Sequence, residues 1–228
     1  MVKSHNDRSP GLVILVFLLL IAICIITALM ILTEPETETG TGTIQDMDGK
    51  PVIYEGDEVP SNDELKAMDV KDVPSADFRV PSVGLSTGVK SLTEVHGHIT
   101  PPGFVNAYYV RSRGTSLDTP EKGTVYVAVH SLRRGRGPGN YLYNEKTKAV
   151  RLQKGDEIII NNNVYRMVKG YHVNKNSLPT HPGLWDDTPG RLVVLTCLQR
   201  EDGKKSTDNV VIEAEYVGPE AAASDNGK

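Results

Sequence analysis

The chain has 228 residues, a formal net charge of −4 and two cysteines. No Lys/Arg stripe interleaved with aromatic residues appears, so nucleic acid is not an expected partner. One cysteine sits in an apolar run and the other at a predicted strand end, which excludes a disulfide framework, and the rest of the length suits one ordinary domain.

Residues 1–11 carry Lys3 and Arg8 and read as a cytoplasmic N-terminus. Leu12 to Leu32 has no charge and is long enough to cross the hydrocarbon core as a helix. Glu34, Glu36 and Glu38 follow it, so the positive-inside bias leaves the remainder outside. With no small-x-small cleavage site after it, the segment reads as an uncleaved anchor and the chain as a single-pass protein of the cell membrane. Cys24, in mid-helix, reads as a packing residue. Residues 33–77 are acidic and rich in Thr, Gly, Pro and Asp, the composition of a stalk without a core. Within it Asn62–Met68 has the caps and helix formers for a short helix, either free or folded over the domain beyond. Residues 218–228 read as a disordered tail.

Residues 78–217 form the predicted domain. Gly and Pro punctuate it every eight to fifteen residues, and β-rich runs lie between at 78–83, 104–110, 124–130, 156–160, 164–173, 192–197 and 209–217. Short strands at that spacing predict an all-β barrel or sandwich of about eight strands with short helices. Gly155-Asp156 before the isoleucine run and Asn161-Asn162-Asn163 after it predict a hairpin whose turn uses positive φ.

Arg191-Leu-Val-Val-Leu-Thr-Cys197 reads as a buried strand with the thiol at its mouth. In Thr124-Val-Tyr-Val-Ala-Val-His130 alternation puts Val125, Val127 and Val129 on one face and Tyr126, Ala128 and His130 on the other. A thiol and an imidazole at two strand ends are the minimum set for thiol acyl transfer: one attacks, the other protonates the departing amine. The remaining histidines make no metal site by spacing, because His96-Gly-His98 has no second cysteine and no H-E-x-x-H beside it. Arg133, Arg134 and Arg136 form a basic loop that is either solvated or holds an anionic group. Trp185 lies in a Pro/Gly-rich loop and serves either packing or a groove wall.

An N-terminal anchor, a stalk, a histidine strand, a Gly-Asp-x-Ile hairpin, a strand ending Leu195-Thr196-Cys197 and a closing Asn209-Val-Val-Ile-Glu-Ala strand together resemble the sortases, cysteine transpeptidases of Gram-positive bacteria. Arg79-Val-Pro-Ser82 and Pro101-Pro102 make the actinobacterial members the nearest likeness. The resemblance covers about 78–217 and implies a sortase-like barrel. It implies Cys197 as the nucleophile toward an LPXTG-like sorting signal and His130 as general acid. Thr196 stands where the family has its threonine, and Trp185 is placed with it as a substrate-binding residue. An amine of a peptidoglycan precursor or a pilin then resolves the thioacyl enzyme, with no metal or organic cofactor required.

Two positions depart from the family pattern. Val129 stands before His130 where a glycine is usual. The family's arginine at the start of the closing strand is missing, since that region reads Lys204-Lys-Ser-Thr-Asp-Asn209. Arg200, three residues after Cys197, is the expected substitute donor, because its planar fork can turn back over the site; Lys204 and Lys205 are its rivals. An L,D-transpeptidase is a competing reading, although its glycine before the cysteine is replaced here by Thr196. A membrane-anchored binding module that keeps the barrel without catalysis is the other.

Overall fold

The structure, a computed structural model, describes residues 45–52, 59–202 and 204–221. The expected anchor at Leu12–Leu32 lies outside the described residues, and no helix among those described is long and apolar enough to cross a membrane.

Eight strands close into one barrel: β1 (Lys71–Val80), β2 (Leu85–Leu92), β3 (Ala107–Val110), β4 (Thr124–Ala128), β5 (Glu157–Ile160), β6 (Asn163–Asn174), β7 (Arg191–Leu198) and β8 (Asp208–Pro219). Their order around the barrel is β1-β2-β3-β4-β7-β8-β6-β5, and β5 returns to β1, so the sheet has no free edge. Two neighbouring pairs are parallel, β2 with β3 and β4 with β7. The second of these brings the two strands with chemistry side by side.

Strand alternation divides the apolar residues into two clusters. Val125, Val127, Leu192, Val194, Val210 and Ile212 pack with Phe78, Ile158 and Tyr165 on one side of the sheet. Tyr126, Ala128, Val193, Leu195 and Val211 face the other side, under Met68, Val95, Val173 and Leu184. Burial pushes the Tyr108 hydroxyl in this second layer up to about 12, so it stays neutral.

The packed region begins before Phe78. Helix α1 (Asn62–Met68) starts on a reciprocal cap in which the Ser61 hydroxyl accepts from the Glu64 amide and the Glu64 carboxylate accepts from the Ser61 amide. Seven residues are too few for a stable isolated helix. Burial of Met68, 2% exposed, contributes about 1.5–3 kcal/mol and docks α1 on the second layer. Further upstream, buried Asp46 accepts from the amides of Asp48, Lys50 and Arg136, and these bonds, led by that of Lys50, hold its carboxyl below the usual range. The stretch read as a coreless stalk thus contributes to the domain at both places.

β1 itself starts seven residues earlier than the composition suggests. Pro74 lacks an amide, and the ladder shifts register between Asp72 and Asp77, with Ser75 at φ 63. A bulge is where a strand tolerates proline. At its other end β1 stops at Val80, because Pro81 opens a short 3-10 turn that Gly84 closes at φ 70. β8 runs to Pro219 and Glu220 forms a fork-to-fork pair with Arg79, so the first residues of the expected tail belong to the barrel. The β5–β6 turn conforms to expectation, with Asn161 at φ 49 and Asn162 at φ 61.

Candidate active site

β4 and β7 run parallel in the register Thr124 with Arg191 through Ala128 with Leu195. The ladder continues one step, because the Val129 amide donates to the Leu195 carbonyl at 3.0 Å. Carried past the end of β4 at Ala128, that register sets His130 level with Cys197. Both also share a face: Tyr126, Ala128 and His130 alternate together, as do Val193, Leu195 and Cys197. Cys197 is a free thiol and half-buried. The register thus brings the ends of the two strands that carry histidine and cysteine together, although 67 residues separate the two side chains in the chain.

The imidazole is held from two sides. Its Nε2 lies 2.7 Å from the Pro101 carbonyl oxygen, which can only accept, so Nε2 carries a proton and donates. Phe104 packs its ring against the imidazole, centroid to centroid 4.8 Å. Nδ1 is the ring nitrogen not committed to the Pro101 carbonyl.

Just beyond His130 the chain is locked by a short 3-10 turn, Pro138–Tyr141. The Gly139 amide donates to the His130 carbonyl at 2.8 Å, and the Asn140 side chain bridges the Leu132 amide and carbonyl and the Gly137 amide. Ser131 Oγ and Thr196 Oγ1 meet at 2.8 Å beneath Gly139, tying the end of β4 to the end of β7. The Gln199 side-chain amide adds a bond to the Ser131 carbonyl at 2.5 Å. Burial raises the Tyr143 hydroxyl above its ordinary range, so it stays protonated while accepting from the Gln199 amide.

The other expected site residues fall elsewhere. Thr196 is 2% exposed and, by alternation, faces the opposite side of β7 from Cys197, so its hydroxyl serves the Ser131 tie and not a ligand beside the thiol. Trp185 donates from Nε1 to the Leu178 carbonyl, stacks at 5.4 Å on Tyr126 and lies under the Arg113 guanidinium. Tyr126 pairs with Val193, four residues before Cys197, which puts Trp185 about 13 Å along the strand from the thiol. Its place is in the packing of that end. Arg200 is exposed, and its Nε and Nη2 bind the Asp202 carboxylate at 2.9 and 2.5 Å. That pair raises the guanidinium and lowers the Asp202 carboxyl from their ordinary values. Arg136 bonds by its amide to Asp46 and lies over the Tyr141 ring.

Ser131, Gly139, Asn140 and Gln199 are the site's supports that residue types alone did not single out. The run Gly137-Pro138-Gly139-Asn140 carried the signal, since two glycines around a proline after a strand indicate a close backbone approach. Among the described residues no cluster of His, Cys, Asp and Glu is arranged to hold a metal ion.

No protein-family model and no curated protein matches the sequence. Among solved structures the chain is similar to sortase A of Listeria monocytogenes, at 19% identity and a TM-score of 0.46 over 65% of this chain and 90% of that one. It is also similar to sortase C-1 of Actinomyces oris, at 15% identity and 0.45 over 62% and 73%. A lid mutant of sortase A from Corynebacterium diphtheriae matches at 12% identity and 0.46 over 68% and 75%.

Proposed function

We propose that this chain is a membrane-anchored, sortase-type cysteine transpeptidase, nearest to the actinobacterial kind. The observation that carries the reading is the parallel β4–β7 register, which, carried two residues past its last pair Ala128–Leu195, sets His130 level with Cys197. Cys197 Sγ attacks the Thr–Gly carbonyl of an LPXTG-like sorting signal, the C–N bond breaks as His130 protonates the departing amine, and a thioacyl enzyme remains. A second amine, from a peptidoglycan precursor or a pilin, attacks the thioester, passes its proton to His130 and releases the thiolate, which restores the starting thiolate–imidazolium pair. The net change is one amide exchanged for another, so the reaction as written calls for no metal or organic cofactor.

Mass spectrometry of the chain incubated with LPXTG-type peptides and candidate amines tests this directly. The expected results are a thioacyl adduct on Cys197 and an amine-dependent product, both absent in Cys197→Ala. Product formation by the Cys197→Ala variant removes the reading. The missing arginine at the start of β8 supports the alternative of a binding module without turnover, for which no adduct forms with any of the peptides.

The anchor at Leu12–Leu32 places the reaction outside the cell membrane, close to where sorting signals emerge. Protease added to intact cells is expected to release the domain and leave a membrane fragment that contains this segment. Recovery of the full-length chain from the soluble fraction of unproteolysed cells would overturn the anchor.

A further inference from the structure

The sheet that sets His130 level with Cys197 extends one strand further. β7 and β8 are antiparallel, and Cys197 stands directly opposite Asn209. Alternation along β8 puts Val210, Ile212 and Ala214 in the first apolar layer and Val211 in the second, so Asn209 shares the second face with the thiol. Cys197 and Asn209 form a cross-strand pair with His130 level with them just past the end of β4, and directly opposite residues of an antiparallel pair bring their Cβ atoms to about 4.5–5.5 Å. Val173 of β6 closes the row beyond Asn209.

The Asn209 side chain is half-buried, and its Oδ1 is shut off from solvent and accepts no hydrogen bond from the described residues. A buried side-chain carbonyl oxygen without a partner carries a desolvation cost, which rotating the amide or binding a ligand can relieve. The position beside Sγ identifies the ligand atom. A carbonyl under attack by Sγ becomes tetrahedral, and its oxygen gains a negative charge within bonding distance of the sulfur-bearing carbon. An asparagine amide presents either its carbonyl or its NH2 after a half-turn about χ2, so it can direct a donor at that oxygen. Val173, Val211 and Leu195 around it keep the local dielectric low, which strengthens such a bond.

We propose that Asn209 is the side-chain oxyanion donor of the Cys197 site, a catalytic residue that touches the reacting oxygen. The proposal rests on the cysteine acyl-transfer reading and names the donor that this reading lacks. The cations nearest in sequence are poorly arranged for the role: Arg200 is engaged by Asp202, and Lys204 and Lys205 are exposed on the loop before β8.

An aldehyde separates this role from substrate recognition. Sγ adds to the aldehyde carbon, the C=O π pair becomes a lone pair on oxygen, and that oxygen takes the thiol proton by way of His130 to give a hemithioacetal. Iodoacetamide alkylates the same thiol by displacing iodide at a saturated carbon and develops no oxyanion. The full chain and its Asn209→Ala and Asn209→Asp variants are therefore titrated with N-acetylalaninal and, separately, alkylated with iodoacetamide. The aspartate keeps the shape of the side chain and removes the donor. Both variants are expected to lose on the order of a hundredfold in aldehyde affinity, with alkylation rate and melting temperature unchanged. Arg200→Ala is expected to match the wild type in both reactions. Wild-type aldehyde affinity in Asn209→Ala overturns the proposal, as does a hundredfold loss confined to Arg200→Ala. A wild-type chain that shows the Asn209-dependent aldehyde adduct but no acylation by LPXTG-type peptides overturns the sortase reading and leaves the oxyanion assignment standing.

Discussion

Replacement of His130 by alanine is expected to lower the rate of thioacyl formation on Cys197 by about 10²–10⁴-fold, the usual contribution of a positioned acid–base group. The imidazole has two separable tasks. Nε2–H anchors it to the Pro101 carbonyl, and in the proposed mechanism Nδ1 exchanges the proton with the thiol and the departing amine. His130→Gln distinguishes them, because a glutamine amide can still donate to the Pro101 oxygen but cannot take up or release a proton near neutrality. Its activity is expected to fall as far as that of His130→Ala, with a melting temperature closer to wild type. Stopped-flow acylation by an LPXTG-type peptide and thermal unfolding of the three proteins provide the check. A glutamine variant that acylates at the wild-type rate would show that the imidazole does no proton transfer, and the acid would then have to be sought elsewhere on the same face.

The pairing behind this prediction was only half legible in the sequence. Dense Val and Ile runs marked β4, β5, β6, β7 and β8, and the asparagines at 161 and 162 marked the turn between β5 and β6. β2 escaped notice because Leu85-Ser-Thr-Gly-Val-Lys-Ser-Leu92 has few β-branched residues and a central glycine, and its strand state comes from pairing with β1 and β3. The first half of β1 was hidden by Pro74, which only a bulge accommodates. Cys197 and His130 were legible as strand ends, since alternation and the neighbouring turns locate them. The alignment of their strands was not, because it depends on which strands become parallel neighbours across a long connection. Thr196 shows the reverse case: once Cys197 faces one side, alternation alone turns Thr196 to the other, so its distance from any ligand beside the thiol followed from the strand period. Asn209 carried no signal of its own. A polar residue at the start of a strand is ordinary until the register puts it opposite a thiol.

Gly139→Ala is expected to destabilise the domain and the site together. A Cβ at this position would lie inside van der Waals contact of both Thr196 Oγ1 and Ser131 Oγ, and 2.8 Å from the His130 carbonyl oxygen. The constraint is space and not backbone torsion, because Gly139 is not among the positive-φ glycines. Overpacking a tight site typically costs about 1–3 kcal/mol, and the obstructing atoms here have little freedom to yield. The two hydroxyls are bonded to each other, and the carbonyl accepts the Gly139 amide itself at 2.8 Å. The expected cost is therefore about 3 kcal/mol or more, which lowers the melting temperature of a domain this size by about 6–12 °C. The displaced atoms belong to the ends of β4 and β7, so the spacing of His130 and Cys197 opens with them and acylation falls even below the melting range. Thr196→Ala removes one of the obstructing oxygens and is expected to recover part of the lost stability when combined with Gly139→Ala, although alone it breaks the Ser131 tie and destabilises. Calorimetry on the four proteins reads both effects. A Gly139→Ala chain with wild-type melting and wild-type acylation would mean that the turn at Pro138–Tyr141 moves freely, and that the ends of β4 and β7 are positioned by the barrel alone.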